Sequence, residues 1–444
     1  MLPFVECYDN KLRTAFHSGG FIAQGYDLRR EVEQPEGEVG TRTMSYRILS
    51  LDGGGTWALI QVKALMALYR ATTSGHRVMQ DFDLAVANSG GSIVLGGLIE
   101  NLTLEKILAF FESEPQRRAV FSPTKEWGDR ILSDLTGLGP KYSAKAKLVA
   151  LQNALPNRGD LPLAQAGAGI RRPGAAQDLH VLIVSFDYDR DRARFFRSAP
   201  AGTAQTPNWG QGAPSDVTLA DAIHASSNAP VNYFDAPAQW AHGPGRYWDG
   251  AITGCNNPIV AGVTETIVLR QGDTSPADVV ALSIGTATVA RPWPKPGESP
   301  SVLLQSPSET GLVHDVVKLL GAILDDPQDI ATFLAYVMTG GPWNPKIDPR
   351  RGRIVRMNPL ISPVRNGAQW APPQGMSLDQ FDYLAKLGMD AIEQHEVDAI
   401  GAFADLWLNS RVPNQPIRMD PDTLSLEIGD GWFKDAVAWW NRIR

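Results

Sequence analysis

Cysteine is almost missing from these 444 residues: there are two, Cys7 and Cys255. Two thiols make no disulfide framework, and neither stands in C-x-x-C or another metal-ligand spacing. Disulfide-scaffold and structural-metal classes fall away, and a reducing cytoplasm fits best. A basic excess is missing too, since 41 Lys and Arg against 48 Asp and Glu leave a net charge of −7 and a pI near 5.6. Such a balance argues against a broad surface for nucleic acid or anionic lipid, so no nucleic-acid partner is expected. No apolar run is long enough to span a bilayer, and contact with a membrane, if made, is expected to be peripheral. The opening MLPFVECYDNKLR has no basic start followed by an apolar stretch, so neither a signal nor a transit peptide is read there. Residues 1–43 are polar and weakly periodic; they are read as a poorly ordered N-terminal extension, with Met44 as an alternative start.

What the chain does have is apolar residues in ordered patterns, 43% of the total, enough for a large core. The reading is one large domain over 44–410 and a C-terminal segment, 411–444, packed on its body. YRILSL (46–51) reads as a strand entering a glycine turn, and residues 58–69 follow with helical spacing. LAVA (84–87) is a second short buried strand, NSGGS a second turn, and 93–100 opens another helix. Two such units in succession predict an α/β fold, with a mostly parallel central sheet between helical layers. Further strands are expected at 179–186, 193–197 and 279–284, and helices at 103–112, 143–154, 219–227 and 312–338. Segments 161–178, 199–216, 287–309 and 340–375 read as loops by composition. Ser377 to Gln380 has the form of a capping box. Trp439 and Trp440 are read as packing the C-terminal helix onto the body, and Arg117, Arg118, Arg350, Arg351 and Arg353 as solvated charges.

Three short motifs could carry chemistry. Ala87-Asn88-Ser89-Gly90-Gly91 sets a serine at a sharp strand-to-helix turn, with small residues two before and two after it, as a nucleophile elbow requires. The bland reading makes Ser89 only a helix N-cap. Asp52-Gly53-Gly54-Gly55 ends the first strand with side-chain-free residues whose N–H groups form a nest for an oxyanion, or equally for a phosphate. Its spacing departs from G-x-G-x-x-G, so a dinucleotide fold is weakly supported. Tyr247-Trp248-Asp249-Gly250-Ala251 places an aspartate beside small residues, a pattern that in isolation is more often a turn.

Together, and in this order, the motifs resemble the patatin-like phospholipase family: a D-G-G-G turn, a G-x-S-x-G elbow and a later D-G-[GA] aspartate. AIHASSNAPVNYF (222–234), ALSIGTA (281–287) and RIVRMNP (353–359, a late strand) extend the resemblance over roughly 45–405. It implies a three-layer α/β/α fold and hydrolysis of fatty-acyl esters of lipids. Ser89 would be the nucleophile and Asp249 its base, with Gly53, Gly54 and Gly55 as the oxyanion hole, Ala87 and Gly91 as elbow support, and neither metal nor cofactor. No histidine is needed; His224 on its helix reads as structural. Asp249 would have to gain basicity from partial desolvation. Two positions depart from the family: alanine replaces the first elbow glycine, and Trp57-Ala58 stands where members often carry Arg-Gly, which puts contact with a phosphate head group in doubt. Competing expectations are a catalytically silent lipid-binding relative and a nucleotide binder using the glycine turn. No regulator is named by the sequence; loops 161–178 and 287–309 are candidate lids.

Overall fold

The computed structural model describes residues 45–123, 140–198, 217–230, 233–239, 245–269, 275–306, 310–311, 329–344, 351–367 and 369–444. The extension 1–43, the loop 199–216 and the first part of the expected helix 312–338 lie outside the described residues.

Among the described residues seven strands make the central sheet: β1 (Tyr46–Leu51), β2 (Leu84–Ala87), β3 (His180–Asp187), β4 (Arg192–Arg197), β5 (Tyr247–Asp249), β6 (Val279–Ile284) and β7 (Ile354–Met357). Their order is β4-β3-β2-β1-β6-β7, with β5 added on β3. β1 runs parallel to β2 and β6, β2 to β3, and β6 to β7. β4 and β5 are antiparallel to β3. Inner strands such as VVALSI are buried along their whole length, as a sheet covered on both faces demands. The polar DYDRDR turn lets β3 and β4 form a hairpin at the edge.

The helices that matter here are α1 (Leu59–Tyr69), α2 (Ser89–Ile99), α3 (Leu104–Glu112), α4 (Ala144–Ala154), α5 (Leu219–Ser226), α6 (Ile259–Leu269), α7 (Gln394–Leu408) and α8 (Phe433–Ile443). One sheet face, with Leu49, Leu51, Ala85 and Ile183, packs on α1, α2, α3, α5, α7 and α8. The other, with Ile48, Val86 and Val184, packs on α6 and on Ala331 and Ala335. The fold is thus mixed α/β with a mostly parallel sheet between helical layers. Trp440 is fully buried and stacks on Phe82 at 5.8 Å, which fixes α8 to the body. The capping box at Ser377 and Gln380 is formed.

Three expectations are corrected. Segment 340–375 is not loop throughout, because β7 and the short pairs that follow lie within it; flanking Gly, Pro and Arg dilute the apolar signal of Ile354, Val355 and Met357. Arg117 is not solvated: it is buried and donates to the Phe111 and Ile392 carbonyls and to Gln394. The helix read from 93 starts at Ser89.

Candidate active site

In a parallel sheet the carboxyl ends of the strands face one crevice, and ligands bind there where the strand order reverses. β1 is such a place, flanked by β2 and β6, and both glycine-bearing turns leave from this end. Ser89, one residue beyond the end of β2, adopts φ 48°, the left-handed region that a non-glycine residue occupies only when its surroundings enforce it. What enforces it is close packing: a Cβ on Gly91 would meet the carbonyl oxygens of Asp52 and Leu51 at 2.5 and 2.6 Å. Ala87 is wholly buried at the end of β2. Ser89 is not an N-cap. That position belongs to Asn88, whose amide turns away from the helix to donate to Asp249 Oδ1 at 3.2 Å. The Ser89 N–H donates to Ser226 Oγ at 2.9 Å, and Ser226 in turn donates to Asn88 Oδ1 at 3.3 Å.

Asp249 reaches Ser89 through strand register. β2 pairs with β3 only as far as Ile183, and β4 occupies the other edge of β3 from Leu182 to Asp187. β5 therefore takes the edge of β3 just beyond the end of β2, with Asp249 opposite Ser185. The Asp249 carboxyl accepts from the Asn88 amide and from the Ala251 N–H at 2.9 Å, and the Ser89 hydroxyl favours its charged form. Burial raises the Asp249 pKa above the ordinary aspartate value, while Ser89, Ala251, the charge of Lys147 and Asn88 pull the other way. Among the described residues no histidine hydrogen-bonds to either group.

The glycine turn lies against this pair. Gly54 has φ 147° and Gly55 φ 56°, so both need glycine's freedom. One of the expected donors is already spent, because the Gly53 N–H donates to the Asn256 carbonyl at 2.9 Å. Gly54 and Gly55 have no acceptor for their N–H groups among the described residues. Behind the turn, Gln61 of α1 donates to the Asp52 and Ile284 carbonyls at 2.8 and 3.0 Å, tying β1 to β6. The Asp52 carboxyl, fully buried, meets Arg356 of β7 at 2.6 Å; burial lifts its pKa to about 6 against the pull of that guanidinium. Trp57 turns inward, its indole N–H on the Gly388 carbonyl at 3.0 Å and its ring edge on Phe403.

Ser89 lines a cavity walled mainly by apolar residues including Ile93, Phe110, Phe111, Phe121 and Phe234. A second cavity, lined only by apolar residues and a glycine, shares Ile93, Phe110 and Phe111 with the first. Among the described residues of loops 161–178 and 287–309, none lines either one.

Residues 49–262, which hold both turns and the aspartate, match the family model described as patatin-like phospholipase. This stretch is a patatin-like phospholipase domain. No curated protein matches the chain. Among solved structures it is similar to VipD from Legionella pneumophila, at 10% identity and a TM-score of 0.32, over 81% of this chain and 67% of that one. It is also similar to the type III effector protein ExoU, at 10% identity and a TM-score of 0.27, over 81% of this chain and 53% of the other. This chain therefore spans about half the length of ExoU. At those scores neither likeness bears on the site.

The patatin-like domain also brings in residues that motif reading passed over. Asn88, Ser226 and Asn256 connect the elbow, the aspartate and the glycine turn. Lys147 of α4, without solvent exposure, lines the cavity beside Ser89. Burial pushes its amine well below the usual lysine value, with Asp249 opposing. His224 of α5 is buried, and burial together with Lys147 holds it well below the usual histidine value, hence neutral. Among the described residues no helix is long and apolar enough to cross a membrane.

Proposed function

We propose that this chain is a serine acyl hydrolase that cleaves fatty-acyl esters of lipids, with Ser89 as nucleophile and Asp249 as general base. The observation that carries this reading is a serine held in the left-handed region on the wall of an apolar cavity, next to Asn88, whose amide donates to the buried Asp249 carboxyl. Burial supports the base function, because a desolvated carboxylate takes a proton more readily than an exposed one. Ser89 Oγ attacks the ester carbonyl carbon as its proton passes to Asp249. The N–H groups of Gly54 and Gly55, joined by that of Gly90 beside the nucleophile, receive the negative oxygen. Collapse breaks the bond to the alcohol, which leaves with the proton from Asp249. Water, activated by the regenerated carboxylate, then attacks the acyl-enzyme and releases the fatty acid. The linked apolar cavities suit the acyl chain, and any contact with a membrane would be peripheral.

The test is fatty-acid release from phospholipids, lysophospholipids, neutral glycerides and a p-nitrophenyl ester by the wild type, Ser89→Ala and Asp249→Asn. Loss of about 10³-fold or more in both variants is expected. Release that survives Ser89→Ala, or a wild type inactive on the whole panel, would sink the proposal.

A further inference from the structure

Resting on that reading, we infer that Lys147 is the built-in counter-ion of Asp249: an ammonium in the cavity wall that holds the base ionised at rest and balances the substrate oxyanion once the proton has moved. The case begins with the amine's partners. Lys147 Nζ lies 3.1 Å from the His224 carbonyl oxygen and 3.3 Å from Ser227 Oγ, and 4.2 Å from the centre of the Phe234 ring. A carbonyl only accepts. The Ser227 hydroxyl has one proton, and it is spent on the Ile223 carbonyl at 2.7 Å, so toward lysine it accepts as well. A ring face attracts cations. Three acceptors surround the nitrogen, which matches the three donors of an ammonium and leaves no donor for the lone pair of a neutral amine.

A fully buried cation needs a counter-charge, yet no carboxylate stands within ion-pair distance of Lys147 among the described residues. The acid nearest in the fold is Asp249: its N–H donates to the Asn228 carbonyl at 2.9 Å, and Asn228 follows Ser227, the residue that accepts from Lys147, so both groups meet the same turn after α5. Burial works against both charges, and each group favours the charged form of the other. The other charged or titratable groups here do not compete. His224 is held neutral, Tyr233 has its phenol raised to about 12 by burial, and Arg117 is committed to the Phe111 and Ile392 carbonyls and Gln394. Neither α2 nor the helical turn after Asp249 carries a charged residue. At rest the Lys147–Asp249 pair sums to zero. When the Ser89 proton reaches Asp249, the negative charge moves to the carbonyl oxygen and the ammonium stays in place to balance it. Lys147 is thus a positioning residue acting through Asp249, and it supplies from α4 a cation that Trp57 does not supply after the glycine turn.

The experiment is the pH dependence of kcat/KM on a p-nitrophenyl ester for the wild type, Lys147→Met and Lys147→Gln. Both variants should move the acid limb upward, on the order of one pH unit, because the carboxylate loses its cation. Glutamine keeps two donors for the carbonyl and Ser227 but not the charge. A limb left in place by Lys147→Gln would make the role one of hydrogen bonding and overturn the inference. A second measurement needs no turnover: urea unfolding of Lys147→Met, Asp249→Asn and the double variant. The double variant should lose less than the two single losses combined; additive losses would overturn the inference. If no ester is hydrolysed but the losses are coupled, the proposed function fails while the counter-ion pair stands.

Discussion

Replacing Arg356 with methionine would strip Asp52 of the guanidinium 2.6 Å away, in a place where both side chains are sealed from water. Removing one member of a buried pair typically costs about 3–5 kcal/mol, because the remaining charge has no solvent to turn to. Asp52 has one escape, which is to take up a proton, and this makes the cost depend on pH. Its folded pKa of about 6 lies above the ordinary 3.8, so the folded state holds the proton more tightly than the unfolded chain does. The resulting stability is fully present below about 3.8 and is lost as pH rises through about 6. Without Arg356 the folded pKa rises further. The variant then goes on losing stability above pH 6, by up to about 1.4 kcal/mol per unit, where this group in the wild type has levelled off. Urea unfolding at pH 5.5 and pH 8 should therefore show a wider gap between wild type and Arg356→Met at pH 8, by about 1–3 kcal/mol. Equal gaps at the two pH values would refute the reasoning, as would a variant within about 1 kcal/mol of wild type throughout.

Gly54→Ala adds a Cβ 2.2 Å from Thr286 Oγ1 at φ 147°, so the turn must move; ester hydrolysis should fall about 10²-fold or more, and unchanged kcat would remove the turn from the oxyanion site. Ser226→Ala leaves the buried Ser89 N–H without its acceptor and should cost about 1–3 kcal/mol of stability by denaturant titration, whereas a neutral variant would show that the elbow does not depend on it. His224→Gln should keep kcat within about tenfold of wild type, since a neutral buried histidine has no proton role here; a loss matching that of Ser89→Ala would bring histidine back into the mechanism.

The catalytic candidates were legible because their constraints are local. An elbow needs small residues within two positions of its serine, and a nest needs consecutive glycines, so both leave a mark a few residues long. The strands of the sheet were legible for a related reason, being short apolar runs closed by turn residues. β7 was hidden from composition by the Gly- and Pro-rich chain around it and showed only through family resemblance. The loss of Gly53 as a donor could not be read at all, because it depends on Asn256, some two hundred residues away along the chain.

The supporting residues share a mark that was present but unused. Lys147 lies three residues after Ala144 and four before Leu151, and all three are buried, so the lysine sits on the helix stripe that faces the core. Arg356 interrupts the buried strand IVRM, and Gln61 interrupts the buried run Leu59 to Val62. A polar side chain at a core position is costly unless it is satisfied there. Its occurrence therefore implies a partner inside, and in this protein the partners are the Asp52 carboxyl and carbonyl and the walls of the Ser89 cavity. Pattern analysis that discards such residues as noise in an apolar stripe discards the groups that set the electrostatics of the site. Motifs locate the chemistry, and breaks in the hydrophobic pattern show which elements have been recruited to hold it.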